Sequence, residues 1–163
     1  MAAENANTMI LVKSANGDTF EVSLKIGKKI LIVKAFVEDE SFVPTTAIPL
    51  QNVNSSELAL AIEYLNFHHG EVKPSENEAK DFDLEFLNNL SNKQLMDLPN
   101  AADYLNVEDL LEFLLQTVAN LIENKSVHFV RNLFGIVSDF TPEEEERLFQ
   151  ETAWAHEDVD PDV

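Results

Sequence analysis

The sequence predicts an α/β (α+β) fold, in which a small unit containing strands comes first and helices follow. Residues 9–13 are apolar, residues 18–23 alternate between polar and apolar, and the Asn16-Gly17 pair between them accepts the positive φ of a tight turn. This pattern predicts a β-hairpin. Further along, the apolar residues of 101–122 recur three and four positions apart, which is typical of a helix with a wide apolar stripe.

Several short elements are expected between the hairpin and the middle of the chain. Residues 25–38 are predicted as a helix or a mixture of helix and strand, because their β-branched residues weaken the helical pattern. A loop over 39–47 and a short strand over 48–50 follow. A capping-box pattern from Asn54 to Glu57 then opens a helix. Its apolar face is predicted to consist of Leu58, Ala61, Ile62 and Leu65.

An exposed linker is predicted over residues 70–82, because this segment contains glycine, proline and many charges but almost no apolar residues. Short helical pieces are expected after it, over 82–90 and 91–98. Pro99 lacks a backbone donor and clashes with a preceding helical turn, so it is predicted to kink the chain or to mark the start of a new helix.

The apolar stripe of 101–122 allows two interpretations. Asn106 is expected to cap this helix, with Asp109 in its acidic first turn. A second apolar strip lies on its far side, at Phe113, Leu114 and Ala119. A helix that is apolar over so much of its circumference is normally covered on most sides. It is therefore either the central core helix of the domain or a helix shared with a partner.

Two further helices are predicted near the C-terminus. The first covers 125–134 and stops at Gly135. The second begins after Thr141, which is followed by Pro142 and four glutamates, the residue types preferred at a helix start. The glutamates are expected to stabilise that N-terminus through the helix dipole and not to chelate a metal. Trp154 is predicted to be either a cap over the helices or an aromatic anchor for a partner, and the acidic end beyond it is predicted to be mobile.

Composition narrows the class of protein. The chain has 163 residues and a net charge of −19, from 30 acidic and 11 basic side chains. Such a surface repels phosphate groups, which argues against nucleic acid and anionic membranes as partners. Electrostatically steered partners should be basic, although strong charge also serves solubility alone. No run approaches the roughly 18–20 apolar residues of a membrane span. Residues 1–8 are predicted to be a loose tail without signal-peptide features.

A search for reactive groups finds none. There is no cysteine, which excludes disulfides, thiolate metal sites and a cysteine nucleophile. The four glycines are scattered singly, the four histidines form no metal-binding spacing, and no serine has the setting of a catalytic nucleophile. The residues therefore indicate a non-enzymatic protein that binds other proteins and uses no cofactor or metal.

Seven segments occur in an order that resembles a known family. They read NGDTFEV, IPLQNV, FDLEF, AADYLNV, LLEFLLQTVANLI, DFTPEEEE and ETAWAHE. Together they are similar to the SKP-one family, the S-phase-kinase-associated adaptors of SCF-type cullin–F-box ubiquitin ligases. The similarity covers nearly the whole chain, is strongest from Asp97 onward and is weak across 25–47. DFTPEEEE with a following Trp is its most specific part.

This resemblance implies a non-enzymatic adaptor in the ubiquitin conjugation pathway, present in the cytoplasm and nucleus. It implies a BTB/POZ-like domain formed by 9–69 and, after the linker, by helices over 83–124. It further implies C-terminal F-box-binding helices over 125–163. Carried over by position, the F-box side would use Leu95, Leu98, Leu111, Val118, Ile122, Phe134, Ile136 and Trp154. The cullin side would use Asp103 and Tyr104. An unpartnered F-box surface would also allow weak self-association.

Departures from the family pattern identify the chain as a divergent paralogue. Asp103 stands where the family has an asparagine of an Asn-Tyr pair, which adds charge to the cullin side. Pro99 and Asn100 interrupt the apolar helix before that pair. Phe82 replaces a tryptophan, and the proline usually found after Lys125-Ser126 is absent. A second hypothesis is therefore an F-box-binding module whose cullin contact is lost or altered and which works outside a ligase.

Overall fold

The computed structural model describes residues Thr8 to Pro161. Within the chain, two compact units are distinguished, Met1–Leu114 and Leu115–Val163, here called the N-terminal unit and the C-terminal unit. The predicted loose tail over 1–8 lies outside the described residues except for Thr8, whose carbonyl accepts a hydrogen bond from the Leu24 amide at 2.8 Å. Among the helices in the described range, none is long and apolar enough to span a bilayer.

The N-terminal unit combines a three-stranded sheet with helices. Its elements are β1 (Met9–Lys13), β2 (Thr19–Ser23), α1 (Leu24–Gly27), α2 (Leu31–Val37), β3 (Ile48–Pro49), α3 (Ser55–His69), α4 (Glu76–Asn89), α5 (Asn92–Leu105) and the first half of α6 (Glu108–Ile122). The predicted α/β character of this part is therefore confirmed.

The sheet has the order β2-β1-β3, so the first strand lies in the middle. β1 and β2 form the predicted antiparallel hairpin, and the turn between them holds Gly17 at φ 99°, which a residue without a side chain adopts readily. β3 pairs with β1 in parallel, with Val12 opposite Ile48. Alternate residues of β1, Ile10 and Val12, are fully buried, because successive side chains of a strand point to opposite faces.

The core of the N-terminal unit forms where α3 packs on α5. All four residues predicted for the apolar face of α3 are buried, namely Leu58, Ala61, Ile62 and Leu65. The predicted start of this helix is correct, but the side chain of Asn54 makes no capping hydrogen bond. Instead, the Ser55 backbone amide, one of the free donors at the helix start, donates to Asn16 Oδ1 in the hairpin turn at 2.9 Å. The hairpin turn thus replaces the cap in holding this end of α3.

The segment 25–38, for which a helix or a helix–strand mixture was expected, forms the two short helices α1 and α2. Their apolar spacing places Ile26, Ile30 and Val33 in the core. A Cβ atom on Gly27 would overlap the buried side chain of Ile10, so the absence of a side chain allows α1 to lie close to β1.

The prediction of a linker over 70–82 is wrong for its second half, because α4 begins at Glu76. Ser75 accepts a hydrogen bond from the Glu78 amide and Glu78 accepts one from the Ser75 amide, which forms a capping box. Phe86 is the one side chain of α4 that is buried. Residues 76–81 contain Ala79 as their one apolar residue, and for that reason the start of α4 resembles a linker.

Of the two predictions for Pro99, the start of a new helix is wrong, since α5 runs without interruption from Asn92 to Leu105, and a kink stays a prediction. Burial of Leu98 and Ala102 on either side holds the helix in place despite the missing backbone donor. The predicted N-cap role of Asn106 is also wrong. Asn106 adopts the left-handed conformation at φ 53° and is the C-cap of α5, a role that asparagine tolerates well.

The C-terminal unit contains the second half of α6, followed by α7 (Val127–Phe134), α8 (Pro142–Glu151) and a short 3-10 helix (Ala153–His156). Both predicted boundaries here are confirmed. Gly135 is the C-cap of α7 at φ 66°, and Thr141 forms a capping box with Glu144 at the start of α8.

Candidate protein-interaction surfaces

Within residues 8–161, histidine and carboxylate side chains meet in pairs. No group of three or more His, Asp or Glu side chains in this range could hold a metal ion. Two histidines of α3 are each paired with one carboxylate, His68 with Asp83 at 2.8 Å and His69 with Asp109 at 2.5 Å. Burial, together with the charges of Asp109 and Asp83, raises the pKa of Tyr64, so this phenol stays protonated as a packing group.

A large apolar surface lies instead on the C-terminal unit. No side chain between Leu115 and Pro161 is fully buried. Its exposed large apolar residues, here called the open apolar surface, are Leu115, Leu121, Val127, Phe134, Ile136, Val137, Phe140, Phe149 and Trp154. Covering one such side chain is worth about 1.5–3 kcal/mol. Apolar surface on this scale is typical of a protein-binding site.

Local caps hold α7 in place although it has no buried side chain. The Ser126 hydroxyl accepts a hydrogen bond from the Phe129 amide at 2.9 Å, which satisfies one of the free donors at the helix start. The Lys125 ammonium lies 5.6 Å from the centre of the Phe129 ring and 3.3 Å from the Asp160 carboxylate. These contacts fix the direction in which α7 presents Phe134.

An ion pair joins α7 to α8. The Arg131 guanidinium donates to Glu145 Oε1 at 2.8 Å, and the Ser138 hydroxyl donates to the same oxygen at 2.5 Å. The hydrogen bond from Ser138, and then that from Arg131, holds the pKa of Glu145 below its ordinary value of 4.5. The segment between the two helices carries Ile136, Val137 and Phe140. It is held in place because Glu145 accepts hydrogen bonds both from Arg131 in α7 and from Ser138 within this segment.

Trp154 is held outward, with 75% of its surface exposed. It belongs to the 3-10 helix. The His156 ring of this helix stacks on the Phe149 ring of α8, with the ring centroids 4.6 Å apart. The Thr152 hydroxyl donates to the Leu148 carbonyl at 2.7 Å and lies 3.2 Å from His156 Nε2. Of the two interpretations of Trp154, a cap within the C-terminal unit does not agree with this exposure, and the anchor role stays a prediction.

α6 carries three residues predicted for the F-box side. Leu111 is half-buried in the N-terminal unit, next to the fully buried Leu110 and Leu114. Val118 and Ile122 are half-buried in the C-terminal unit. α6 is thus a core helix along its first half, as one interpretation has it. Its second half has no fully buried side chain, and a partner on that half stays a prediction.

Leu95 and Leu98, also predicted for the F-box side, lie inside the core of the N-terminal unit. Leu98 has no exposed surface, and Leu95 keeps 7% of its surface exposed. A partner could contact them only after a rearrangement of that core, because neither presents an accessible face. Their role in partner binding stays a prediction.

The two residues predicted for the cullin side lie in the last turn of α5. Asp103 is exposed and Tyr104 is half-buried. The Asp103 carbonyl accepts a hydrogen bond from the Asn106 amide at 3.0 Å, so the left-handed cap stabilises the turn that carries both side chains. Both side chains are therefore accessible near the C-terminal end of α5.

Four residues of the open apolar surface that lie within or near α7 and α8 are absent from the predicted site residues. They are Val127, Val137, Phe140 and Phe149. Val137, which is 90% exposed, is the clearest case. The sequence contained a signal for these residues. Large apolar side chains are unexpected in a solvated segment close to the acidic run of 143–146, unless a partner covers them.

Comparison with known proteins finds one family along most of the chain. A model described as "Skp1 family, tetramerisation domain" matches residues 8–70, and one described as "Skp1 family, dimerisation domain" matches residues 108–155. The first match confirms the expected BTB/POZ-like fold of the N-terminal part.

Curated plant proteins are similar over almost their full length. SKP1-like protein 14 of Arabidopsis thaliana is 38% identical over 93% of this chain and 99% of that protein. SKP1-like protein 18 of the same plant is 40% identical over 91% and 97%, respectively. SKP1-like protein 1 of Oryza sativa subsp. japonica is 36% identical over 96% of this chain and 100% of that protein.

Proposed function

The chain belongs to the Skp1 family, and on this premise we propose that it is a non-catalytic adaptor in an SCF-type ubiquitin ligase. It would bridge a cullin scaffold and an F-box substrate receptor and so support ubiquitin-dependent protein degradation. The observation that carries this proposal is the open apolar surface. No side chain from Leu115 to Pro161 is fully buried, so a partner that covers these residues would supply the core that they lack.

The F-box contact is assigned to the C-terminal unit. Val118, Ile122, Phe134 and Ile136 would supply the apolar floor, and Trp154 would supply the aromatic anchor. Tryptophan contributes disproportionately to interfaces because it buries a large rigid surface at low cost in side-chain entropy. The caps and the Arg131–Glu145 pair support this assignment, since they hold the helices in one arrangement before the partner arrives.

The cullin contact is assigned to the end of α5 in the N-terminal unit. Asp103 and Tyr104 occupy the positions that correspond to the Asn-Tyr pair of the family, and both side chains reach the surface. Since the proposed F-box residues lie mainly on the C-terminal unit, the two partners would use different parts of the chain. Such an adaptor would act in the cytoplasm and the nucleus.

Stepwise co-purification tests the proposal. The chain is first co-expressed with an F-box fragment, and a cullin N-terminal domain is then added to the purified pair. A ternary complex on size-exclusion chromatography is expected. Failure to bind any F-box fragment would contradict the proposal. The chain alone should self-associate weakly, through the same surface, and the F-box fragment should suppress this association.

One alternative is favoured by a specific observation, the exposed charge of Asp103. If this carboxylate weakens the cullin contact, the chain would be an F-box-binding module in a non-ligase complex. A stable pair with the F-box fragment that recruits no cullin would support this alternative over the adaptor.

A further inference from the structure

Lysine side chains gather on the N-terminal unit of this acidic protein. A surface cleft of about 460 Å³ is lined by Lys28, Lys29 and Lys34, and a second cleft of about 380 Å³ is lined by Lys25, Lys29 and Lys73. The two clefts adjoin, because both include Lys29. These residues, here called the lysine patch, are five of the 11 basic residues of the chain.

Part of the lysine patch is available to a partner. Lys29 and Lys73 are exposed, and neither is paired with a carboxylate among residues 8–161. Lys34 lies 3.9 Å from Glu38 in an exposed pair of the kind that contributes little. Lys25 donates to the Gly70 carbonyl at 2.6 Å, which holds one side of the second cleft in position.

The charge of the patch is local. Net charge is −19 over the whole chain, yet at about 0.15 M salt the Debye length is about 8 Å, so acidic residues farther away are largely screened. The two clefts are lined by five lysines and three carboxylates, so a short negatively charged ligand that stays within the patch meets an excess of positive charge. A long polyanion also meets the rest of the acidic surface.

The composition of the clefts favours a peptide over a phosphate polymer. Glu71 lines the second cleft, and Glu108 and Asp109 line the first, so a ligand with a phosphate at every step would meet these carboxylates. Leu31, which is 54% exposed, also lines the first cleft. An acidic peptide can place carboxylates near lysines and an apolar side chain on Leu31.

We infer that the lysine patch docks an acidic segment of a partner protein. Binding would combine several charge pairs at exposed lysines with one apolar contact at Leu31, and it would weaken as salt rises. This surface lies on the N-terminal unit and does not involve the residues proposed for the F-box contact. The inference can therefore be tested independently of F-box binding.

Fluorescence anisotropy with a labelled peptide of glutamate, aspartate and a few leucines tests the inference. The variant Lys29→Glu/Lys73→Glu reverses two exposed charges of the patch. The matched control Lys80→Glu/Lys93→Glu makes the same change in net charge at two exposed lysines outside both clefts. Circular dichroism checks that both variants are folded.

The peptide should bind the unaltered chain, and the patch variant should bind at least about tenfold more weakly while the control variant keeps its affinity. Equal weakening in both variants would overturn the inference, because it would reflect net charge alone. Absence of peptide binding at low salt would also overturn it. Tighter binding of an RNA oligonucleotide or of anionic phospholipid vesicles than of the peptide would replace the proposed partner with another class. Salt-sensitive self-association lost in the patch variant, without peptide binding, would assign the patch to a second copy.

Discussion

Arg131 of α7 and Glu145 of α8 form an ion pair with 2.8 Å between the guanidinium nitrogen and the carboxylate oxygen. The Ser138 hydroxyl donates to the same carboxylate, so one side chain bridges two helices and their connection. Because no side chain between residues 115 and 161 is fully buried, polar bridges and helix caps provide here the positioning that a core provides elsewhere.

We expect Glu145 to titrate at a lower pH than an ordinary glutamate, because the hydrogen bonds from Ser138 and Arg131 hold its pKa below 4.5. Since the pKa of Glu145 is lowered in the folded state, the bridge makes its full contribution to the stability of the fold above about pH 4.5. This contribution is lost as the pH falls through the folded-state pKa. Carboxyl ¹³C chemical shifts measured against pH should show this.

Replacing Ser138 with alanine should move the titration of Glu145 back toward 4.5. Ser41→Ala, which removes an exposed hydroxyl in the N-terminal unit, is the control and should leave it unchanged. An unshifted Glu145 in the unaltered chain would show that the bridge does not persist in solution.

The double substitution Leu111→Asp/Val118→Asp should weaken F-box binding by at least about tenfold, equivalent to about 1.4 kcal/mol. The reason is that an unpaired carboxylate would be moved from water into an apolar interface. Isothermal titration calorimetry with an F-box fragment measures the change. Gln116→Asp, at an exposed polar position of α6, is the control and should retain affinity. If the double variant binds normally, the F-box site does not include this helix.

Trp154→Ala should reduce F-box affinity by about 2 kcal/mol or more, the scale of an interface hot spot. The N-terminal unit should unfold at the same denaturant concentration as before, because Trp154 is 75% exposed and surface changes usually shift stability by less than about 0.5 kcal/mol. Removing residues 150–163 should give the same pattern.

Val72→Ala provides the control for Trp154→Ala, since Val72 is 84% exposed and lies in the N-terminal unit. This change should alter neither stability nor binding. Unchanged affinity in Trp154→Ala would mean that its exposure serves no F-box contact.

Asp103→Asn should strengthen cullin binding by a few-fold, because it removes a charge from the proposed contact while keeping the shape of the side chain. Surface plasmon resonance on a complex with an F-box fragment measures the affinity. Asp81→Asn removes one negative charge at an exposed position of α4 and should have no effect. If Asp103→Asn weakens binding instead, the carboxylate itself makes a favourable contact and selects a different cullin.

Local residue chemistry predicts the hairpin, α3, α7 and α8 well, because turn residues, caps and apolar spacing act within a few positions. It fails at 76–82 and at Asn106. The first turns of α4, over 76–81, carry almost no apolar residues. Asparagine suits both the start and the end of a helix, so only the path of the chain decides between the two roles. The predicted restart of a helix at Pro99 is a third case, since core packing holds α5 together across this residue.

The sequence by itself determined the α/β class, the family and the absence of cysteine chemistry, all of which depend on residue types and their order. Only the tertiary structure decided which apolar residues remain available to a partner. Leu98 and Trp154 are both large and apolar, yet one has no exposed surface and the other is 75% exposed. The physical reason is that helical spacing records which residues share a face, whereas burial depends on whether a second element covers that face.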